Sequence, residues 1–214
     1  MKKETTIIVL GTAHRMKEPG KCSPDGRVKE CIYSREVVSE IEAKLKSYGC
    51  RVIVDMPELD LPKTAQSQST SLERSRELAI RVNLVNELCR QNGAKNVLYV
   101  SIHLNAAGAD GKWHDANGWQ VCVSTKASQS SKLLANCLFD AAKNHDLKMR
   151  QPTASQKYWS QSLYVLNNTN CPAVLTENLF QDNKKDVDYL LSDEGRHVIA
   201  RLHVEGILNY IEKN

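Results

Sequence analysis

Short apolar runs alternate along this chain with longer stretches in which apolar residues recur every three or four positions. The runs at 6–10, 51–54, 97–102, 119–123 and 173–175 are rich in β-branched residues and predict strands. The first, closed by Gly11, reads as a buried strand. The helical spacing predicts a helix over 34–48, with Val37, Ile41, Leu45 and Tyr48 on one face and Gly49 as its stop. A long helix opens at Ser71, carries Leu78, Val82, Val85 and Cys89 as its apolar stripe, and ends at Asn92-Gly93. Leu133, Leu134, Cys137, Leu138 and Ala141 mark another helix. A helical turn follows over 186–191, and a last helix over 193–211 places Ala200, Val204, Ile207 and Ile211 on one face. The polar, Gly- or Pro-bearing segments 11–29, 57–70, 105–118 and 150–162 read as loops. Strands alternating with helices predict one α/β domain over 1–214 with a largely parallel sheet. No repeat, linker or low-complexity segment interrupts it.

Composition narrows the classes. The 214 residues suffice for a sizeable core, and 41% hydrophobic with 25% charged residues is ordinary for a folded globular chain. No run of about 18 apolar residues exists, so a membrane-spanning helix is excluded. A net charge of +4 with only 6% aromatics argues against a nucleic-acid partner. The seven cysteines are irregularly spaced and form no C-x-x-C pair, which reads as free buried thiols in a reducing compartment. The start, MKKETTIIVLG, has too short an apolar stretch for a signal-peptide core, so synthesis without a recognisable export signal is expected.

The nucleophile elbow, the phosphate-binding loop, the H-E-x-x-H helix and the dinucleotide fingerprint are all missing. What remains is positional. Ligands of open α/β sheets sit beyond the carboxyl ends of the strands. His14 follows the first strand, His103 closes VLYVSIH, and Glu177 follows AVLT; Glu30 precedes the first helix and is placed to join them. Two histidines and one carboxylate make a catalytic zinc set with a fourth position open to water, and a second carboxylate would then act as general base.

The stretches GTAH (11–14), KECIYSREV (29–37), RVNLVNEL (81–88), SIHLNA (101–106), GWQVCVS (118–124) and LYVLNNTNCPAVLTENLF (163–180) resemble, in order, the blocks of the zinc-dependent N-acetylmuramoyl-L-alanine amidases. These catalytic domains are shared by bacterial cell-wall amidases and phage endolysins. The resemblance implies a single α/β domain whose twisted, mostly parallel sheet of about six strands has helices on both faces. It implies Zn2+ held by His14, Glu30 and His103, with Glu177 as catalytic acid/base. The implied reaction is hydrolysis of the amide between the lactyl group of N-acetylmuramic acid and L-alanine in peptidoglycan. A monomer acting on the bacterial wall, as a phage or prophage lysin would, is the corresponding expectation. Two other readings stand beside it: a non-catalytic peptidoglycan-binding module on the same fold, and a zinc exopeptidase, for which Arg15 is the available terminus clamp.

Two departures from the family's usual blocks stand out. Arg15 and Met16 follow His14 where glycine is usual, and Asn178-Leu179 follow Glu177 where a small residue and glycine are usual. Glu36 and Glu40 lie close enough to Glu30 in sequence to compete for its role. Cys31 is expected to pack. Arg81 and Asn86 recur in the family's helix block and are expected to lie beneath the sheet edge, bonded to loops. His114, His145, His197 and His203 read as surface or helix-packing residues. Tyr158 and Trp159 either stack on substrate or pin the loop that carries them.

Overall fold

In the computed structural model, which describes residues 5–214, the apolar runs become the strands of one six-stranded sheet. These are β1 (Ile7–Gly11), β2 (Arg51–Val54), β3 (Val97–Asn105), β4 (Gln120–Ser124), β5 (Trp159–Gln161) and β6 (Ala173–Phe180). Their order is β2-β1-β3-β6-β4-β5. β2, β1, β3 and β6 run parallel; β4 is antiparallel to β6, and β5 is parallel to β4. The helices are α1 (Glu30–Ser47), α2 (Thr70–Asn92), α3 (Gln129–Asn144), α4 (Tyr164–Asn168), α5 (Lys184–Leu191) and α6 (Asp193–Lys213).

The sheet is apolar on both sides because it is covered on both sides. Ile8, Leu10, Leu98, Val100 and Ile102 face Val37, Leu134, Val187 and Ile207 of α1, α3, α5 and α6. The alternate residues Ile7, Val9, Val97 and Tyr99 face Val82, Val85 and Leu88 of α2 and Val165 of α4. Both registers of these strands are therefore core, which is why the runs show no polar alternation.

The expected and observed boundaries differ where polar residues are satisfied locally. α1 begins four residues before the expected start. Its N-cap, Lys29, makes no side-chain cap bond, so no Ser or Asp signal marks the start, and Glu30 supplies the negative charge that suits the first turn. Tyr48, expected on the buried face of this helix, is its exposed C-cap. α2 starts at Thr70 behind Ser69, whose hydroxyl accepts a bond from Leu72 N at 3.3 Å. β6 runs five residues past its expected end at Leu175. β5 and α4 lie in and after the segment expected as a loop; each is too short to show a period. The seven thiols are free, and six are buried, Cys22 being exposed.

Candidate functional site

The parallel strands β1, β3 and β6 bring their carboxyl ends to one edge of the sheet. β1 ends at Gly11, where a Cβ would lie 2.5 Å from the Tyr99 hydroxyl, so the close approach of β3 requires glycine. The next three residues are pinned from several sides. Thr12 N donates to Asp55 Oδ1 at 3.0 Å and its hydroxyl to Met56 O at 2.8 Å. Ala13 N donates to Ser34 Oγ at 2.8 Å, and that hydroxyl donates to Ile102 O at 2.7 Å. His14 then turns with φ of 42°, a left-handed conformation that costs a non-glycine residue about 1 kcal/mol.

Glu30, in the first turn of α1, is buried under this turn with its side chain 1% exposed. Its Oε2 lies 3.3 Å from His14 Nε2, and its Oε1 lies 3.0 Å from His103 Nδ1. Oε1 also accepts from Leu104 N at 3.1 Å. The two imidazoles meet edge to face with centroids 5.1 Å apart. Donor atoms of His14, Glu30 and His103 all fall within 4.8 Å of one another, and no other such group of three converges among the described residues. Tetrahedral ligands at about 2.1 Å from a metal stand roughly 3.4 Å apart, close to the His14–Glu30 separation. Burial alone would raise the Glu30 carboxyl, but the charge of His14 and the hydrogen bond from His103 hold it well below the usual carboxylate range. Burial lowers the His103 imidazole, against the pull of Glu30, and so favours the neutral form that ligates a metal.

Glu177 sits beside His103 in register across β3 and β6. It lines the same cavity of about 260 Å³ as His14, Glu30 and His103, and its Oε2 is buried with no hydrogen-bond partner. Burial, helped by the nearby negative charge of Glu30 and opposed by Lys21, pushes its carboxyl up to about 8. A carboxyl poised near neutrality with a free oxygen facing a cavity is suited to proton transfer.

Just past Glu177, β6 holds one residue more than its partner: His103 pairs with Glu177, but Asn105 pairs with Phe180. Leu179 takes up this bulge with φ of 68°, a conformation that glycine provides at lower cost. Asn178 holds the bulge in place. Its Oδ1 accepts from Trp119 Nε1 at 2.7 Å, and its Nδ2 donates to His103 O at 3.0 Å and Thr176 Oγ1 at 3.1 Å. The Thr176 hydroxyl donates to His203 Nε2 at 2.9 Å, and His203 Nδ1 donates to Ile199 O at 2.7 Å. The buried His203 thus ties α6 to the back of the site, and in the sequence only the unusual Asn178 signals it.

The remaining candidates fall elsewhere. Glu36 is exposed beside Arg196, and Glu40 pairs with Lys44, so neither reaches His14 or His103. Cys31 is buried with its sulfur against Met16 Sδ. Arg15 is no clamp: it is 2% exposed and enclosed by Glu18 and Glu73 at 2.8 Å each and by Glu77 at 3.8 Å. Arg81 is buried on Asp55 at 2.7 Å and Glu77 at 2.9 Å, a structural pair on the cavity wall. Asn86 joins α2 to the loop after α4 through Asn168 O and Asn170 N. His114, His145 and His197 pair with Asp110, Glu205 and Glu40. Tyr158 packs on the body, whereas Trp159, the first residue of β5, packs against the core on the α2 side of the sheet and lines a second cavity.

Residues 8–209 match the N-acetylmuramoyl-L-alanine amidase family model. The endolysin of Bacillus phage SPP1 is 31% identical over 201 residues, covering 94% of this chain and 64% of the endolysin. The chain thus spans less than two thirds of that relative's length. The germination-specific N-acetylmuramoyl-L-alanine amidase of Bacillus subtilis is 24% identical over 199 residues, 90% of this chain and 77% of that one. Among solved structures, the CwlD amidase from Clostridioides difficile, in complex with the GerS lipoprotein, superimposes with a TM-score of 0.81 at 24% identity, covering 98% of this chain and 100% of that one. At that identity the likeness establishes the fold.

Proposed function

The chain belongs to the N-acetylmuramoyl-L-alanine amidase family, and on that basis we propose that it is a zinc-dependent hydrolase of the bond between N-acetylmuramic acid and L-alanine in peptidoglycan. In this reading residues 1–214 act as one catalytic unit on the bacterial cell wall. The observation that carries it is the convergence of His14, Glu30 and His103 on one point of the cavity that Glu177 also lines.

Two imidazoles and one carboxylate suit zinc and leave a coordination position open. The buried Glu30 Oε2, which accepts no hydrogen bond of good geometry, fits a metal better than it fits solvent. Zinc bound there would polarise the amide carbonyl and lower the pKa of an attacking water. The protein's own part is proton handling. Glu177 accepts a proton as the water oxygen bonds to the carbonyl carbon. It returns that proton to the L-alanine nitrogen as the C–N bond breaks, so the amine leaves neutral. A cation beside Glu177 draws its carboxyl down toward the ionised form needed for the first transfer, and burial favours the protonated form needed for the second.

The test is product analysis. Purified protein incubated with peptidoglycan releases peptides bearing a new L-alanine amino terminus, loses this activity on chelation and regains it with added zinc. Release of sugar reducing ends, or of peptides cut at another bond, would refute the assignment.

A further inference from the structure

Beyond the cavity that holds Glu177, a second hollow of about 380 Å³ opens along the same sheet edge, bounded by Gln120, Arg150, Trp159, Gln161 and Phe180. It is joined to the first by register. His103, Glu177 and Gln120 pair across β3, β6 and β4, so their side chains stand in one row on one face of the sheet. Gln120 Oε1 accepts from Arg150 Nε at 3.2 Å, and the Arg150 guanidinium lies over the Phe180 ring at 4.9 Å from its centroid. Backbone bonds to Trp119 on both sides, Arg150 N to Trp119 O and Trp119 N to Lys148 O, at 2.8 Å each, fix the segment that carries it.

Arg150 differs from the other enclosed arginines. Arg15 and Arg81 are surrounded by carboxylates, and Arg35 donates to four backbone carbonyls. Arg150 is half-buried and rigidly held, and among the described residues no carboxylate lies within ion-pair distance of it. Asp186, whose charge it feels, is occupied by Phe180 N and Gly118 N. A fixed guanidinium with its terminal nitrogens unpaired, facing a hollow lined by an indole and three side-chain amides, is arranged to take a planar anion.

We propose that Arg150 binds a carboxylate of the peptide half of the substrate. This rests on the amidase reading above. The muramoyl half is uncharged once its lactyl carboxyl is in the amide, so the anion must lie on the amine side of the scissile bond. One strand spacing plus a hydrogen bond places the guanidinium about 8–10 Å from Glu177, or roughly two to three residues along an extended peptide. The second hollow is then the peptide subsite, Arg150 its specificity residue, and Gln120 the residue that positions it.

The experiment uses N-acetylmuramoyl-L-alanyl peptides of two and three residues in total, each made with a free terminal carboxyl and as the carboxamide. KM and kcat are measured for the parent, Arg150→Met and Arg150→Lys, with folding checked by circular dichroism. The parent should prefer a free carboxyl by about tenfold to a hundredfold, mostly in KM, as expected for a charge-assisted bond. Arg150→Met should lose that preference, and Arg150→Lys should keep part of it. A parent indifferent to amidation, or a preference that survives in Arg150→Met, overturns the proposal while leaving the amidase reading intact. If the parent cleaves none of these peptides and none in peptidoglycan, the amidase reading itself falls.

Discussion

Asn178 is the residue whose loss should be felt furthest from its own volume. It is itself fully buried, makes three hydrogen bonds, to Trp119, His103 and Thr176, and leaves none of its polar atoms idle. Asn178→Leu keeps the size and removes every one of them. At about 1 kcal/mol for each bond, with the indole N–H left buried without the amide oxygen it donates to, the loss is about 3 kcal/mol. For a chain of this length that lowers the melting temperature by about 6–12 °C. The same change frees the backbone of His103 behind the proposed zinc site, so zinc should also be held more weakly. Urea denaturation of parent and variant, with zinc titration of each, measures both effects. A loss below about 0.5 kcal/mol would mean that the network does not brace the bulge, and the reasoning from its geometry would be wrong.

Gly11→Ala should destabilise by about 1–3 kcal/mol, because the new methyl meets Tyr99 Oη and Ser101 Oγ at 2.5 and 2.9 Å; a neutral melting curve would contradict the packing argument. His203 should make the protein acid-sensitive. Burial lowers its imidazole to about 4, below the ordinary 6.5, so the fold favours the neutral ring and its contribution is lost as pH falls from about 6.5 through 4. His203→Gln, which keeps a donor and an acceptor, should flatten that slope, and an unchanged slope would rule His203 out as its source.

Much of this site was legible in the chain because strand ends carry it. Burial of both faces of β1 and β3 makes their runs unambiguous, and the polar residues at their ends are then the ones delivered to the sheet edge. The hidden parts depend on partners distant in sequence. Arg15 looks like a free cation until α2 supplies Glu73 and Glu77 from 58 and 62 residues away. In sequence β6 reads as ending at Leu175 because Thr176, Glu177 and Asn178 are polar, and only the Trp119 and His203 contacts reveal why Thr176 and Asn178 are buried there. Leu179 shows that a left-handed position need not carry glycine where the side chain gains a place in the core. Arg150 gave no signal at all, since its meaning lies in the carboxylates it lacks.

Glu177→Gln tests the central assignment most directly. The substitution preserves size and hydrogen-bonding capacity but cannot take up a proton near neutral pH. Zinc content, binding to insoluble peptidoglycan and release of L-alanine-terminated peptides should be measured on parent and variant together. The account predicts about one zinc per chain in both proteins, retained binding in both, and turnover lower in the variant by about a hundredfold to ten-thousandfold. A variant that holds zinc and cleaves at the parental rate would remove Glu177 from the mechanism, and a variant that loses its zinc would move Glu177 from proton transfer to the metal.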